Sequence, residues 1–386
     1  MLPRDARTLL LRLAAGFPVV AVTGPRQSGK TTLARSAFPH HAYVTLEDPD
    51  TRALALADPR RFLARFDHGA VLDEVQRAPE LLSYLQGRVD ERQRMGEFVI
   101  TGSQQFGMLD TVSQSLAGRV GMARLLPLSL AEMKRGGLPA RSLEETLFVG
   151  GYPALHAAGR AALDTQLWFS SYVATYLERD VHQVLAVGDL ALFQRFLSLC
   201  AARSGQLLNL NSLAADCGIA QPTARRWLTV LQASDVVALL QPYHRNFGKR
   251  LVKTPKLYFL DSGLLCWLLR IFDAPSLQTH SMRGAIFETW VVSETIKHRL
   301  HHGLPPDLYF WRDNHGTEID MVFEHQGRLQ AVEIKSGTTF ASDWLAPCRR
   351  WQAMVGADAA PPILVWGGGD SFELEDARVV SWADVG

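Results

Sequence analysis

The chain has 386 residues, more than one hydrophobic core usually holds, so its length predicts two or three domains. Its net charge of +1 and its 47% hydrophobic residues are typical of a globular protein in water, so any attraction to nucleic acid must come from local basic patches. The four cysteines lie far apart, without the spacing of a disulfide scaffold or a zinc site. We therefore expect a cytoplasmic protein with no membrane span.

The first motif follows an apolar run, FPVVAVTG, which predicts a buried strand. The last residue of this run, Gly24, begins the segment GPRQSGKTTL, which fits the pattern G-x-x-x-x-G-K-[ST] and leads into a predicted helix. In such a loop, backbone N–H groups surround phosphate oxygens at a helix N-terminus. We expect Lys30 to reach the β- and γ-phosphates of ATP and the Thr31 hydroxyl to bind Mg²⁺. The remaining predicted nucleotide contacts are Gly24, Pro25, Arg26, Gln27, Ser28, Gly29 and Thr32.

A second predicted strand, GAVLDEV, ends in two adjacent carboxylates, Asp73 and Glu74. Beside a phosphate loop, the first can bind in the Mg²⁺ shell and the second can orient and deprotonate the attacking water. A solvated acidic pair at a strand end has the same local sequence, but the nearby phosphate loop favours the catalytic interpretation. The presence of Glu74 therefore predicts that the protein hydrolyses ATP and does not only bind it.

Two further residues are candidates for catalysis. A third predicted strand, in EFVITGSQQF, delivers Ser103 at its end, which resembles the sensor position of AAA-type ATPases; an ordinary turn fits the same residues. In the same resemblance, Arg119 of SLAGRVGMARLL is a candidate arginine finger for the nucleotide of a neighbouring subunit. That role implies a homo-oligomer, although a surface arginine fits the pattern equally well.

The middle of the chain is predicted to be helical over residues 136–200, with apolar residues at helical spacing. Residues 201–256 predict a winged helix: two helices joined by a turn at Gly218, with Arg225 and Arg226 on the second helix, and then a basic two-stranded wing. Such a basic stripe suits backbone phosphates of DNA, whereas the alternative is a protein-binding module. The predicted wing carries Arg245, Lys249, Arg250, Lys253 and Lys256.

Residues 257–386 predict a small α/β domain with a hairpin whose loop is at residues 326–327. In that register Ile319 faces Ile334 and Met321 faces Val332 on one apolar face. The other face sets Asp320 opposite Glu333 and Glu318 opposite Lys335. Two like charges so placed are destabilising unless a cation separates them, and carboxylate oxygens suit a second divalent metal, Mg²⁺ or Mn²⁺. Alternatively, Lys335 neutralises Glu318 and the face is a surface ion pair without chemistry.

The Asp…Glu-x-Lys arrangement resembles the core of PD-(D/E)xK nucleases. This resemblance implies that Asp320 and Glu333 hold the metal together with Glu288 of the preceding helix, and that Lys335 helps to orient the attacking water. The first strand here reads TEID, without the Pro-Asp pair of those nucleases.

In chain order, GPRQSGKTTL, VLDEVQ, FVITGSQQ, LAGR, PKLYFLDSGL, RGAIFETWVVSE and AVEIKSG resemble a widespread prokaryotic family of AAA-type ATPases with a nuclease-like C-terminal domain. The implied fold is α/β: a P-loop ATPase sheet (1–135), a helical connection (136–200), a winged helix (201–256) and a restriction-endonuclease-like domain (257–386). The expected function is an ATP-hydrolysing motor or switch that acts on DNA. The alternatives are an ATP-regulated protein-binding protein with an inactive nuclease-like domain, or an ATP-coupled nuclease.

Overall fold

The structure, a computed structural model, describes residues 2–102, 115–157, 164–177, 190–243, 253–313 and 315–386. The described residues between 19 and 124 form a sheet of five parallel strands. These are β1 (Val19–Thr23), β2 (Ala42–Thr45), β3 (Ala70–Asp73), β4 (Phe98–Thr101) and β5 (Val120–Arg124). Their spatial order is β2-β3-β4-β1-β5. The short apolar strands β1, β3 and β4 are fully buried, as expected of a parallel sheet covered on both faces.

Helices cover this sheet and place its functional loops at the carboxyl ends of the strands. Two of them begin with proline after an aspartate whose side chain accepts a backbone N–H, a strong start signal. The helices are α1 (Ala6–Gly16), α2 (Lys30–Ala37), α3 (Pro49–Ala57), α4 (Pro59–Ala64) and α5 (Leu81–Arg92). The parallel α/β sheet predicted for the N-terminal part is confirmed.

The middle of the chain is mainly helical and shares one large hydrophobic core with the C-terminal part. Asn209 caps the first helix of the predicted helix-turn-helix, and Gly218 ends that helix in the left-handed conformation. The helices of this region are α6 (Leu130–Arg135), α7 (Leu143–Val149), α8 (Thr165–Tyr172), α9 (Leu190–Ala201), α10 (Leu210–Cys217) and α11 (Gln221–Ala233).

A mixed sheet of nine strands joins the middle and the C-terminal part. Its strands are β6 (Gln206–Leu207), β7 (Val237–Pro242), β8 (Lys256–Phe259), β9 (Tyr309–Arg312), β10 (Glu318–His325), β11 (Arg328–Lys335), β12 (Ile363–Trp366), β13 (Phe372–Glu373) and β14 (Arg378–Ser381). The order is β13-β14-β12-β11-β10-β9-β7-β8-β6. The domain boundary predicted between residues 256 and 257 therefore falls inside β8, in a continuous sheet.

Three helices pack against this sheet: α12 (Ser262–Leu268), α13 (Arg283–His301) and α14 (Ala346–Val355). The longest, α13, is apolar around much of its circumference and is correspondingly buried in the large core. Among the helices of the described ranges, none is long and apolar enough to cross a bilayer.

The hairpin of β10 and β11 has the predicted register, since Met321 pairs with Val332 and Val322 pairs with Ala331. Its turn residues Gln326 and Gly327 have φ of 51° and 74°, as a two-residue turn requires.

One part of the predicted pairing is wrong. The contact of β10 with β9 shifts register between Ile319 and Val322, and such a bulge turns side chains to the other face of a sheet. Ile319 therefore packs with Trp311 and Val322, while Met321 and Ile334 lie in the large core.

Candidate nucleotide site and carboxylate cluster

The predicted phosphate loop connects β1 to the N-terminus of α2. Three of its residues have positive φ: Gly24 (143°), Gln27 (59°) and Gly29 (95°). A Cβ on Gly24 would lie 2.1 Å from the Leu125 carbonyl oxygen, so only glycine fits between the loop and the end of β5. The backbone therefore turns as a phosphate-binding loop requires and presents the start of a helix to an anion.

Lys30 lies within this loop and is almost completely buried. Its Nζ donates hydrogen bonds to the Gly24 oxygen at 3.0 Å and to the Pro25 oxygen at 2.8 Å. Burial lowers the pKa of Lys30 to about 8, although the nearby carboxylate of Glu74 acts in the opposite direction. The ammonium is thus held at the loop, on a flexible side chain that can exchange carbonyl oxygens for phosphate oxygens.

Asp73 stands at the carboxyl end of β3 and accepts three hydroxyl hydrogen bonds. Thr31 Oγ1 donates to Asp73 Oδ1 at 2.9 Å, and the Tyr43 hydroxyl donates to Oδ2 at 2.9 Å. Thr101, at the end of β4, also donates to Oδ1. The predicted Mg²⁺ ligands Thr31 and Asp73 therefore lie together, from two elements that are 42 residues apart in sequence.

Glu74 follows Asp73 in the left-handed conformation, with φ of 58°. This conformation is unfavourable for a residue with a side chain, and such strain is concentrated at functional sites. Gln76 Nε2 donates a hydrogen bond of 2.5 Å to Glu74 Oε2 and thereby fixes the carboxylate beside the loop.

The loop residues fit a bound nucleotide. The Ser28 hydroxyl is buried in the loop and has no hydrogen-bond partner among the residues that the structure describes. A buried hydroxyl without a partner is costly, and a phosphate oxygen at the loop would satisfy it. Lys30 and Ser28 are thus suited to phosphate, and Thr31 and Asp73 supply the oxygen ligands that Mg²⁺ prefers.

The two further catalytic candidates are Ser103 and Arg119. Ser103 lies outside the described residues. Arg119 precedes β5, and its carbonyl accepts from the Val19 amide at the amino end of β1, about 16 Å of strand from the phosphate loop. Its Nη2 donates to Asp90 Oδ2 at 2.9 Å. Arg119 therefore does not contact the nucleotide of its own chain, and a role on a neighbouring subunit stays a prediction.

Sequence reasoning missed Arg4, which contacts the phosphate loop from the segment before α1. Its Nη1 donates to the Ser28 oxygen at 2.8 Å, and its Nε lies 3.2 Å from Glu132 Oε1. The Leu126 amide donates to His301 Nε2, so the ring proton is on Nδ1, 3.4 Å from the same Glu132 oxygen. This buried network joins the loop to α13. No local pattern indicates it, because its members are far apart in sequence.

A second group of charged side chains lies where α13 meets β8, β10 and β11. Lys256 Nζ is 3.0 Å from Glu288 Oε1 and also pairs with Glu318, while the Tyr258 hydroxyl donates to Glu288 at 2.6 Å. Burial alone would lower the pKa of Lys256. The negative charges of Glu288, Asp320 and Glu318 outweigh the effect of burial, so the pKa of Lys256 is raised. Burial and the neighbouring Asp320 raise the pKa of Glu288 to about 7.

The predicted nuclease-like residues of β10 and β11 complete this carboxylate cluster. Lys335 pairs with Glu333, and its Nζ lies 3.8 Å from Asp320 Oδ2. The Ile334 amide donates to that same Asp320 oxygen at 2.8 Å. Burial and Asp320 raise the pKa of Glu333 to about 8.

Two expectations for this cluster need correction. Lys335 does not pair with Glu318, whose partners are Lys256 and Arg312. The predicted second Mg²⁺ or Mn²⁺ site is not supported: across the described ranges, no group of three or more His, Cys, Asp or Glu side chains is arranged to hold a metal ion. Lysines supply the positive charge among these ligands: Lys256, which was expected on a DNA-facing wing, pairs with Glu288, and Lys335 pairs with Glu333.

The predicted DNA-binding residues are described only in part. Arg225 and Arg226 are exposed on α11, and Lys253 is exposed just before β8. Arg245, Lys249 and Arg250 lie outside the described residues.

A family model that matches the N-terminal part of the chain agrees with the phosphate loop. A family model described as an AAA domain matches residues 16–134, and two domains of unknown function, DUF8612 and DUF4143, match residues 140–274 and 283–385. Among solved structures, the Walker-type ATPase PABY2304 of Pyrococcus abyssi is 16% identical with a TM-score of 0.41, covering 68% of this chain and 94% of that chain. A single-residue variant of RuvB from Thermotoga maritima is 21% identical with a TM-score of 0.29, covering 60% of this chain and 86% of that chain.

Two curated relatives match almost the whole chain. They are the uncharacterized proteins Rv2008c of Mycobacterium tuberculosis and Mb2031c of Mycobacterium bovis, each 34% identical over 383 residues. The match covers 99% of this chain and 83% of each relative. The chain therefore belongs to the same family as these two mycobacterial proteins, and its N-terminal part is an AAA-type, P-loop ATPase-like domain.

Proposed function

We propose that the protein binds Mg²⁺ and ATP at the phosphate loop, hydrolyses the nucleotide, and thereby acts as a switch on DNA bound by its middle segment. The first part of this proposal rests on the contact between Thr31 and Asp73. It lies beside a loop whose Ser28 hydroxyl has no hydrogen-bond partner within the described part of the chain. When bound, Mg²⁺ offsets negative charge on the phosphates.

The residues of the chain then have distinct roles. Lys30 exchanges its two carbonyl contacts for phosphate oxygens, and backbone N–H groups of the loop bind the same anion. Glu74 accepts the proton of the attacking water and is held in place by Gln76. Thr101 and Tyr43 keep the Asp73 carboxylate oriented.

A phosphate-release assay on the full chain tests hydrolysis. We expect Glu74→Gln to lower turnover by about 100-fold or more while ATP binding persists, because the change removes the base and keeps the shape. Glu80→Gln, at an exposed glutamate nearby, is the matched control and should be unchanged. Undiminished turnover in Glu74→Gln would remove Glu74 from the mechanism.

The DNA part is supported by the exposed Arg225 and Arg226 on the second helix of a helix-turn-helix. Strands β7 and β8 pair on either side of the segment that carries Arg245, Lys249 and Arg250. In a winged helix the second helix enters the major groove and the wing contacts phosphates, so these basic residues would lie along the duplex.

Fluorescence anisotropy with labelled duplex and single-stranded DNA tests this part. The double change Arg225→Ala and Arg226→Ala should weaken binding and reduce the salt dependence by roughly two counterions. The pair Arg60→Ala and Arg61→Ala, exposed on the AAA domain, is the control. If wild-type protein binds neither DNA at low salt, the middle segment is a protein-binding module instead.

A second candidate function concerns the carboxylate cluster. Because Lys256 supplies a positive charge between Glu288 and Glu318, an inactive nuclease-like fold is the better supported alternative. An ATP-coupled nuclease would instead cleave DNA in Mg²⁺ or Mn²⁺ and lose cleavage in Lys335→Ala.

A further inference from the structure

A charged contact joins the AAA domain to the helix-turn-helix beside the phosphate loop. Arg124 is the last residue of β5 and pairs with Thr23, the last residue before the loop. The following amide, of Leu125, donates to the Thr23 oxygen at 2.8 Å. The backbone of Arg124 therefore lies against the start of the phosphate loop.

The guanidinium of Arg124 pairs with the carboxylate of Asp235, which lies in the turn between α11 and β7. The Asp235 side chain is completely buried, whereas that of Arg124 is 30% exposed. The middle segment thus places a buried negative charge at the carboxyl edge of the AAA sheet. Burial of a carboxylate is costly without a partner, so Arg124 is needed where it lies.

The backbone at Asp235 has the left-handed conformation and closes the end of α11. Asp235 has φ of 56°, in the left-handed region that glycine adopts without strain. Its amide donates to the Gln232 oxygen at 3.1 Å, and the Val236 amide donates to the Leu231 oxygen at 2.9 Å, which closes the end of α11. Glycine would suit this turn better, and it would not supply the charge.

The same carboxylate acts on the phosphate-binding lysine. Burial is the main reason for the lowered pKa of Lys30, and Asp235 is among the carboxylates that oppose this effect. Asp235 therefore lies within electrostatic reach of the Lys30 ammonium, which contacts the loop carbonyls. In addition, Arg124 Nε is buried without a hydrogen-bond partner among the described residues, so the guanidinium has a donor to offer.

We propose that Arg124 is a ligand of the nucleotide phosphates and that Asp235 competes with those phosphates for its guanidinium. An arginine pairs bidentately with phosphate as well as with carboxylate, and a triphosphate carries more charge than a single carboxylate. The phosphates also repel Asp235, so their binding weakens its contact with Arg124. Nucleotide binding thereby loosens the helix-turn-helix from the AAA domain. This inference rests on ATP binding as proposed above, but not on hydrolysis.

Calorimetric titration of the full chain with a non-hydrolysable ATP analogue, and with AMP, tests the competition. Asp235→Asn should tighten the binding of the analogue about tenfold. Arg124→Ala should weaken this binding about 10- to 100-fold, because the variant loses a charge-assisted contact with phosphate. AMP, which lacks the outer phosphates, should respond to neither change. The double variant should bind like Arg124→Ala alone, since Asp235 acts through Arg124. Additive effects, or equal effects on AMP, overturn the proposal.

Two controls keep the result interpretable. Asn tolerates the left-handed conformation and keeps an oxygen acceptor, so Asp235→Asn is expected to fold, which its melting curve verifies. Asp216→Asn breaks another arginine–aspartate pair of the same segment, with Arg203, and should leave binding unchanged.

Hydrogen exchange of residues 231–243 measures the loosening itself. The analogue should speed exchange there in the wild-type chain but not in Asp235→Asn, where the contact is already weakened. If the analogue leaves hydrogen exchange of these residues unchanged in the wild type, the proposed loosening of the helix-turn-helix is wrong. If neither wild type nor Lys30→Ala binds the analogue, ATP binding fails and this inference fails with it. If the wild type binds and Asp235→Asn binds equally, this inference alone fails.

Discussion

Thr31 and Asp73 are joined by a hydrogen bond of 2.9 Å between Oγ1 and Oδ1, which links the first turn of α2 to the carboxyl end of β3. The hydroxyl and the carboxylate are therefore positioned before any metal ion needs to order them. Preorganised oxygen ligands lower the cost of binding Mg²⁺ together with a phosphate.

Replacement of Thr31 tests this relationship. Thr31→Val keeps the shape and removes the hydroxyl, so we expect ATP turnover to fall about 10- to 100-fold and the Mg²⁺ requirement to rise. Thr31→Ser keeps the hydroxyl and should retain most of the activity. The measurement is the rate of phosphate release as a function of Mg²⁺ concentration. Equal losses in both variants would contradict a role for the hydroxyl.

Tyr43 is expected to position Asp73 rather than to touch the nucleotide. Burial and the hydrogen bond to Asp73 raise the pKa of Tyr43 to about 12, so its hydroxyl remains a donor at any working pH. Tyr43→Phe should lower kcat about threefold to tenfold and leave KM for ATP nearly unchanged, because only the orientation of the carboxylate is lost. Tyr84→Phe, at another exposed tyrosine of the AAA domain, is the control. A larger effect on KM than on kcat would assign Tyr43 to nucleotide binding instead.

The sequence predicted local features well, because each depends on neighbouring residues. The phosphate loop needs its glycines in order, and the β10–β11 register follows from a two-residue turn. Contacts between distant segments could not be predicted in this way. Nothing near Arg4 indicates that it contacts Ser28, and Lys256 had the charge pattern of a basic wing although it is buried among carboxylates.

The bulge in β10 could not be predicted from the alternation of apolar and polar residues. Strict alternation placed Ile319 and Met321 on one face, but a shift of one residue moves every following side chain to the opposite face. The sequence around Asp320 carries no glycine that would signal the bulge. Its position is set by contacts with β9, which alternation within one hairpin does not include.

We expect acid to destabilise the protein, because the buried Glu132 carboxylate must then take up a proton. Burial alone would raise its pKa, but His301 and Arg4 outweigh that effect and hold the pKa at about 2, below the ordinary 4.5. Because the unfolded chain takes up this proton more readily, the stabilisation is present above pH 4.5 and is lost as the pH falls towards 2. Its size is about 3 kcal/mol in the free energy of unfolding. The pKa of His301 is lowered too, chiefly by burial, which adds a loss in the same direction.

Urea unfolding between pH 7 and pH 3 checks this expectation in Glu132→Gln and in the wild type. The variant should be less stable at neutral pH and should depend less on pH below 4.5. Glu145→Gln is a matched control, because both glutamates close capping boxes with a serine, and Glu145 is exposed. If the two variants have the same pH profile, the buried network is not the source of the acid sensitivity.

Lys256 is expected to stand in the place of a metal ion. Lys256→Met removes its buried ammonium from between Glu288 and Glu318 and leaves two partly buried carboxylates facing each other. Breaking such a pair should lower the free energy of unfolding by about 3–5 kcal/mol. Oxygen ligands so crowded are suited to a hard divalent cation, so Mn²⁺ should raise the Tm of the variant and not that of the wild type. Lys253→Met, exposed three residues earlier, is the control. A Tm that Mn²⁺ raises equally in wild type and variant would show instead that the carboxylates bind metal beside Lys256, and would revive the nuclease hypothesis.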